Sequence, residues 1–206
     1  MGQVRTRLAR ADREEQLVAT ARMLFGERGY AGVTMDDVAQ AVGVTKPLLY
    51  AYFGNKERLF LACLEPSAEA LTTAVVEAVR AAEDPAQAME LGAQAFFAFV
   101  DANRDDWRVL FDGTVPADGE LGRWVAAHRD RLETMVAQAL RARLPAHARA
   151  RAAVEVEALS AALLGASEAL ARWWARTGAL SPGDAAELLV STIEPGLRAR
   201  AGAGRR

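Results

Sequence analysis

The sequence predicts an all-α fold, and three observations support this. Apolar residues recur at helical spacing nearly from end to end, and no segment alternates apolar and polar residues as a half-buried strand would. Hydrophobic residues make up 51% of the chain and are dominated by alanine, the best helix former. Glycine, proline and small polar residues stand where helices would begin and end. Together these patterns predict about nine helices.

The first predicted helix covers residues 12–28. An inner face is expected from four apolar residues at helical spacing, Leu17, Ala21, Leu24 and Phe25. Gly29 is expected to end the helix, because glycine adopts the left-handed conformation of a helix stop without steric cost.

The most informative segment predicts two short helices joined by a tight turn. Thr34 should cap the first through its hydroxyl, and Asp37 completes a capping-box pattern. Gly43 should end that helix, and Thr45 should cap the next, with Pro47 in its first turn. A helix, a glycine turn and a capped second helix form the arrangement by which a helix-turn-helix presents a recognition helix to the major groove of DNA.

The rest of the chain predicts six more helices. The fourth begins at Asn55 and runs toward residue 79, and Pro66 is expected to kink or break it. Asp84 and Pro85 start a fifth. Pro195 is expected to bend or end the last helix. The remaining helices are predicted over residues 104–112, 121–144, 148–177 and from 181 onward.

Composition restricts the class of protein. With 206 residues, 25% of them charged, the chain has the composition of an ordinary soluble globular protein. No apolar run approaches the roughly 18 residues of a membrane span, and residues 1–10 lack the apolar region of a signal peptide. A single cysteine, Cys63, excludes an intramolecular disulfide framework and suits a reducing compartment. We therefore expect a cytoplasmic protein without a membrane segment.

The charge distribution favours nucleic acid more than the net charge does. The net charge of −2 supports no particular partner. Residues 1–60, however, contain nine Arg or Lys against seven Asp or Glu. The two lysines of the chain, Lys46 and Lys56, both fall in or directly after the helix-turn-helix segment. Simple solvation is the usual role of a surface lysine, but this placement favours phosphate contacts.

The stretch TKPLLYAYFGNKERLF at residues 45–60, preceded by ARMLFGERGY at residues 21–30, strongly resembles the DNA-binding domain of the TetR family. The resemblance covers about residues 11–71, with the helix-turn-helix at 34–53. It implies a ligand-binding and dimerisation domain over residues 72–200, with flexible basic termini at 1–10 and 201–206. It also implies a homodimeric repressor that leaves its double-stranded DNA operator when a small-molecule effector binds.

The resemblance also implies which residues meet DNA. Thr34 and Lys56 look like phosphate contacts, while the residues at the front of the recognition helix should enter the groove. Core packing is the alternative for Tyr50. The full set is Thr34, Thr45, Lys46, Pro47, Leu48, Tyr50, Tyr52 and Lys56. Pro47 and Leu48 depart from the glycine and the polar residue frequent in the family. Because neither can hydrogen-bond a base edge, we expect contact with thymine methyl groups rather than mainly hydrogen-bonded readout.

The central helices predict a second site, a pocket for a largely hydrophobic or aromatic effector. His128 would orient such a ligand from an otherwise apolar wall. Plain core packing is the alternative for each aromatic residue, and a satisfied boundary position is the alternative for His128. The candidates are Phe96, Phe97, Trp107, Phe111, Trp124, His128 and Trp173.

Small residues on one predicted helix favour an interface with a second copy of the chain. Residues at spacings of three and four let two helices approach closely, as in a four-helix interface between symmetry mates. Packing within the chain is the alternative. The residues are Ala158, Ala161, Ala162, Gly165 and Ala169.

Catalysis has little support in the sequence. Two histidines, one cysteine and no glycine-rich phosphate loop after a strand leave few reactive constellations. His128 and His147 lack the spacing of a metal pair. We therefore predict no catalytic residue, no metal and no cofactor. The alternatives left open are an enzyme that uses the central helical cavity, a weakly specific nucleoid-type DNA binder, and a regulator that activates or needs a corepressor.

Overall fold

The computed structural model describes residues 10–104, 107, 109, 118–142 and 153–203. In these residues the secondary structure consists of eight helices and no strand, so the all-α prediction is confirmed. The predicted helix over residues 104–112 lies mostly outside the described residues. The eight helices are α1 (Arg10–Arg28), α2 (Met35–Val42), α3 (Lys46–Phe53), α4 (Lys56–Ala81), α5 (Pro85–Ala102), α6 (Gly119–Ala142), α7 (Ala153–Thr177) and α8 (Pro182–Ala203).

The chain divides into two compact units. Unit 1 comprises Met1–Ala68 and Asp105–Trp124, and unit 2 comprises Glu69–Arg104 and Val125–Arg206. The described residues 107, 109 and 118–124 thus belong to the unit that contains α1, α2 and α3. The domain boundaries at 11–71 and 72–200 remain a prediction.

The core of unit 1 is built where α1 meets the start of α4. Phe25 of α1 and Phe60 of α4 pack edge to face, with ring centroids 4.7 Å apart. Tyr30 packs against the same Phe60 ring at 4.9 Å. Leu17 and Ala21 are fully buried beside them, so the predicted inner face of α1 is confirmed at these positions. Such contacts fix the framework on which α2 and α3 rest.

The start of α2 matches the sequence-based expectation, whereas the start of α3 does not. Thr34 and Asp37 form a complete capping box, and Gly43 ends α2 with a left-handed φ of 74°. Thr45 stands at the start of α3 but makes no side-chain capping hydrogen bond, contrary to the prediction. The reason is local: Pro47 has no N–H to offer, and the Leu48 N–H donates to the Thr45 carbonyl instead.

The two prolines predicted to interrupt helices lie inside continuous ones. Helix α4 runs through Pro66, and α8 runs through Pro195, so the break at Pro66 and the end at Pro195 are absent, while a kink or a bend at either proline remains a prediction. In α4, Leu64 before the proline and Ala68 after it are buried. Packing of these flanks outweighs the one backbone hydrogen bond that a proline removes.

Helix α4 also corrects the expectation that no segment is apolar enough for a membrane span. By length and composition Lys56–Ala81 could cross a bilayer. Half of its most apolar stretch, however, is buried inside the protein. Leu59, Phe60 and Cys63 belong to that buried part, which accounts for the apolar composition as that of a core helix.

Candidate nucleic-acid interface

The N-terminus of α2 is closed by its own side chains. The Thr34 backbone N–H and hydroxyl both donate to Asp37 Oδ2, at 2.7 and 2.6 Å, and the Asp37 N–H donates back to Thr34 Oγ1 at 3.2 Å. These hydrogen bonds, the side-chain one first, lower the pKa of Asp37. Both donors of Thr34, its backbone N–H and its hydroxyl, are bound to the Asp37 carboxylate. A phosphate at this residue would therefore have to replace that carboxylate in at least one of the two hydrogen bonds.

Helix α3 turns one face inward and leaves the other exposed. Leu49 is fully buried and Phe53 nearly so. Leu48 and Tyr50 are 38% and 41% exposed. Since adjacent positions of a helix lie about 100° apart, anchoring Leu49 in the core directs its two neighbours outward. Thr45, Lys46 and Pro47 are exposed at the front of the same helix, and their contact with DNA remains a prediction.

Lys46 has a partner that the sequence reasoning missed. Its Nζ lies 2.8 and 3.0 Å from the two carboxylate oxygens of Asp36 in α2. It also lies 5.9 Å from the centroid of the Tyr50 ring. The hydrogen bond to Asp36, and then the charge of that carboxylate, raise the pKa of Lys46. The ammonium group is therefore held between α2 and α3 on the exposed surface.

The first turn of α4 positions Lys56, the second predicted phosphate contact. Asn55 caps this helix as expected, because its Oδ1 accepts the Arg58 N–H at 2.8 Å. The Lys56 Nζ lies 4.1 Å from the centroid of the Tyr30 ring, a cation–π distance. Burial, and after it the charge of Glu57, raise the pKa of Tyr30. Lys56 thus lies directly against the aromatic core of unit 1.

Tyr52 is half-buried, and the guanidinium of Arg10 lies 5.5 Å from its ring centroid. Each of the two tyrosines in the predicted DNA-contact set thus has a cation near its ring, Lys46 for Tyr50 and Arg10 for Tyr52. Whether either tyrosine reaches DNA stays a prediction.

The start of α6 is bound to the start of α4 within unit 1. Glu57 Oε2 accepts the Glu120 backbone N–H at 3.0 Å, and Arg58 Nε lies 3.3 Å from Glu120 Oε2. Gly119 has a φ of 85°, and a Cβ on it would lie 2.6 Å from Glu57 Oε1. The left-handed φ favours glycine at this position, and a Cβ here would displace the Glu57 carboxylate. No local pattern predicts this clasp, because its partners are about 60 residues apart.

The predicted effector residues of unit 2 divide into core and surface. Phe96 and Phe97 are buried and pack edge to face at 5.1 Å, and Phe97 packs likewise against Trp174 at 6.0 Å. Trp173 is 40% exposed, whereas Trp174 is 1% exposed. The inward position of this helix turn belongs to Trp174, and a contact of Trp173 with an effector remains a prediction.

His128 is half-buried in unit 2, with its Nδ1 3.1 Å from Arg131 Nη2. Burial, and then the Arg131 charge, lower the pKa of His128, while the Glu69 charge acts the other way. Since the Arg131 group is a donor, Nδ1 accepts and the neutral ring carries its proton on Nε2. The Nε2 donor is therefore available to a ligand, and a ligand there remains a prediction.

Two other pocket candidates belong to unit 1: Trp107 is buried and Trp124 half-buried. Phe111 lies outside the described residues. An open groove of about 530 Å³ lies between α1 and α4 and is lined by acidic and small residues, including Glu14, Glu65 and Pro66. None of the described pocket candidates lines this groove.

The outer face of α7 carries an exposed apolar stripe, formed by Val154, Ala158, Ala162, Ala169 and Trp173. Val154 is 76% exposed, and Leu188 of α8 is also exposed. The two other predicted interface residues, Ala161 and Gly165, are half-buried. A Cβ on Gly165 would lie 3.8 Å from Arg129 Nη2, so Gly165 faces α6 as well.

Comparison with known proteins connects both parts of the chain to one class of regulators. Residues 17–63 match the family model of bacterial regulatory proteins, tetR family. Residues 85–195 match the tetracyclin repressor-like C-terminal domain, a match that covers more than half of the chain.

One curated relative is the HTH-type transcriptional activator FasR of Mycolicibacterium smegmatis. It is 33% identical over 119 residues, which are 58% of this chain and 54% of that protein. The chain thus spans about half the length of this relative.

Two solved structures share the fold. A TetR-like transcriptional regulator from Rhodococcus sp. RHA1 superposes with a TM-score of 0.75 at 30% identity, covering 93% of this chain and 99% of the other. AibR, crystallised in complex with isovaleryl coenzyme A and operator DNA, superposes with a TM-score of 0.69 at 19% identity, covering 88% and 97%. At that identity, AibR supports the fold alone.

Proposed function

We propose that this chain, which belongs to the TetR family of bacterial regulatory proteins, is a homodimeric repressor that a small hydrophobic effector releases from a palindromic operator. The chain is a DNA-binding transcriptional regulator of that family, and such regulators are not enzymes. The dimer, the operator symmetry, the effector and the direction of regulation form the proposed part.

The observation that carries the proposal is the two-sided recognition helix α3. Leu49 and Phe53 anchor it in the core of unit 1, while Leu48 and Tyr50 project from its other side. A rigidly anchored helix with an exposed front is what insertion into a major groove requires. Lys46 at the start of α3 and Lys56 at the start of α4 supply cations for the backbone, and Leu48 supplies an apolar contact for a thymine methyl.

A dimer is supported by the exposed stripe on α7. Ala158, Ala162 and Ala169 would let a second copy of the helix approach closely, and Trp173 and Leu188 would add apolar area. A two-fold dimer presents two identical recognition helices, so the matching operator is a palindrome with half-sites about one helical turn, or a multiple of it, apart.

An effector is supported by the aromatic residues of unit 2, among them Phe96 and Phe97, and by His128. The lowered pKa of His128 keeps its ring neutral near pH 7. A neutral imidazole that donates from Nε2 would orient a largely hydrophobic ligand. The AibR complex shows a protein of this fold crystallised with both isovaleryl coenzyme A and operator DNA.

A second candidate is activation rather than repression, because FasR, at 33% identity, is named a transcriptional activator. The DNA-binding geometry is the same for both. They differ in whether the bound protein blocks or recruits polymerase.

The test has two stages. Selection of binding sites from a random duplex library by the purified protein should enrich an inverted repeat, and Leu48→Ala should alter the preference at particular base pairs. Asymmetric enriched sites, or none, would contradict the palindromic operator.

Operator affinity should then be measured with a panel of hydrophobic compounds, including acyl coenzyme A thioesters. A ligand that weakens operator binding, together with lower reporter transcription in its absence, supports a ligand-released repressor. A ligand that strengthens binding, or higher transcription with bound protein, supports the corepressor or activator alternative.

A further inference from the structure

Asp36 and Lys46 form an ion pair on the face of unit 1 that carries the recognition helix. Lys46 Nζ lies 2.8 and 3.0 Å from the two Asp36 carboxylate oxygens, and both side chains are exposed. The residues are ten positions apart, one in α2 and one at the start of α3, so the pair crosses the turn of the helix-turn-helix. On the other side, the Lys46 ammonium faces the Tyr50 ring at 5.9 Å.

Stability is a weak reason for such a pair. Exposed ion pairs contribute little to folding, because water screens their attraction and two long side chains lose freedom. The helix hairpin is already held by the buried Leu49 and Phe53 and by the capping box of α2. We therefore look for the effect of this ion pair in DNA binding, which its location favours, rather than in the stability of the fold.

That location bears on DNA affinity. A lysine that meets a phosphate releases condensed counterions, and each such contact steepens the dependence of the binding constant on salt. A carboxylate already bound to the lysine competes with the phosphate for the same ammonium. The neighbouring acid does not act in this way, because Asp37 is committed to the backbone and hydroxyl of Thr34.

We propose that Asp36 is an intramolecular competitor of DNA phosphate for Lys46, and that it lowers the affinity of this regulator for DNA of any sequence. The carboxylate occupies Lys46 in the free protein and must be displaced when a phosphate takes its place. Asp36 thereby restrains non-specific binding, which rests almost entirely on phosphate contacts. The inference depends on the proposed function only in placing α3 against DNA.

The experiment uses the full chain and a random-sequence duplex, so the operator need not be known. Asp36→Asn removes the charge with little change in shape, and Asp130→Asn, at an exposed position of α6, is the control of equal charge change. For Asp36→Asn we expect about two- to fivefold tighter binding near 0.15 M salt, the fold-change for one exposed ion pair that no longer has to be broken. The log–log salt slope should change by well under one, because the Lys46–phosphate contact is made in both proteins. Asp130→Asn should change neither quantity appreciably.

A double-mutant cycle separates competition for Lys46 from a general charge effect. In a Lys46→Ala background, Asp36→Asn should change affinity no more than Asp130→Asn does. An equal gain with and without Lys46 would overturn the proposal. So would weaker binding by Asp36→Asn, which would mean that the carboxylate positions Lys46 for DNA.

The outcomes also distinguish this inference from the function on which it rests. A wild-type protein that binds no duplex even at low salt would overturn both. Duplex binding by the wild type that Asp36→Asn leaves unchanged would overturn the inference alone. Thermal unfolding of each variant identifies any loss that comes from misfolding.

Discussion

The exposed face of α2 and α3 and the exposed face of α7 present opposite chemistry to solvent. The first pairs its charges on the surface, with Lys46 on Asp36. The second exposes alanines, Val154 and Trp173 in one stripe. Contacts between charges weaken as the salt concentration rises. Association of two copies through apolar area depends instead on protein concentration and hardly on salt. Binding to DNA and binding to a second copy, the two associations we propose, can therefore be tested separately, the first by varying salt and the second by varying protein concentration.

The largest effect should come from placing a charge in the apolar stripe. Ala162→Asp would bury an uncompensated carboxylate in the dimer, at a cost of about 3–5 kcal/mol in association. Sedimentation at micromolar concentration should show monomer, with operator affinity lost as well. Ala127→Asp, on an exposed position of α6, is the matched control and should remain dimeric.

A dimeric Ala162→Asp protein would place the interface elsewhere. Gly165→Asp is a poorer test, because its carboxylate could pair with the nearby Arg129 guanidinium.

Two adjacent residues of α3 should separate stability from recognition. Leu49→Ala removes a fully buried side chain and should lower the free energy of unfolding by about 2–5 kcal/mol. Leu48→Ala, at an exposed position, should change it by no more than about 0.5 kcal/mol while altering operator preference. Denaturant unfolding and site selection measure the two effects. Comparable destabilisation by both variants would mean that Leu48 is not free to enter a groove.

Removing the second predicted phosphate contact should have a smaller effect. Lys56→Ala should weaken binding about fivefold near 0.15 M salt, whatever the sequence, and flatten the log–log salt slope by about one. Arg80→Ala, an exposed cation in the last turn of the same helix, is the control. Titrations at several salt concentrations give the slope. An unchanged slope for Lys56→Ala would remove Lys56 from the interface.

The smallest effect concerns pH. The folded state lowers the pKa of Asp37 below its ordinary value of 3.8. A lowered carboxyl pKa contributes stability that is fully present above the ordinary value and is lost as pH falls through the folded one. The stability difference between the wild type and Asp37→Asn should therefore be constant above about pH 5 and shrink below about pH 4. Thermal unfolding across this range measures it, and a difference that grows in acid would contradict the assignment.

What the sequence predicts well is local. The helical period of α1, the capping box at Thr34 and the stop at Gly43 depend on residues a few positions apart, and all three are present. The missing cap at Thr45 was also local, but it required combining two rules, since the proline that favours the first turn removes one of the two N–H donors that the cap could bind, and the other, of Leu48, donates to the Thr45 carbonyl.

What the sequence misses depends on packing between distant segments. Pro66 lies in a continuous helix because the buried residues near it pack in the core. Local sequence rules do not take such packing into account. Trp173 and Trp174 are adjacent and chemically alike, so the choice between them depends on how α7 is rotated against Phe97. The Asp36 pair likewise requires the geometry of the turn. The predicted DNA contacts rest on a family resemblance rather than on any of these signals.

The clasp between Glu57 and Glu120 sets an order for folding as the chain is synthesised. Helices α1, α2 and α3 are complete once about the first quarter of the chain has been made, but the first turn of α4 acquires its partner only when residue 120 has emerged. At roughly 5–20 residues per second, translation of the intervening segment takes several seconds. During that interval Glu57 lacks the Glu120 backbone N–H, and Arg58 lacks the Glu120 carboxylate. A nascent chain therefore contains the helix-turn-helix before unit 1 is complete. We expect unit 1 to gain its full protection from proteolysis only after the first residues of α6 have been synthesised.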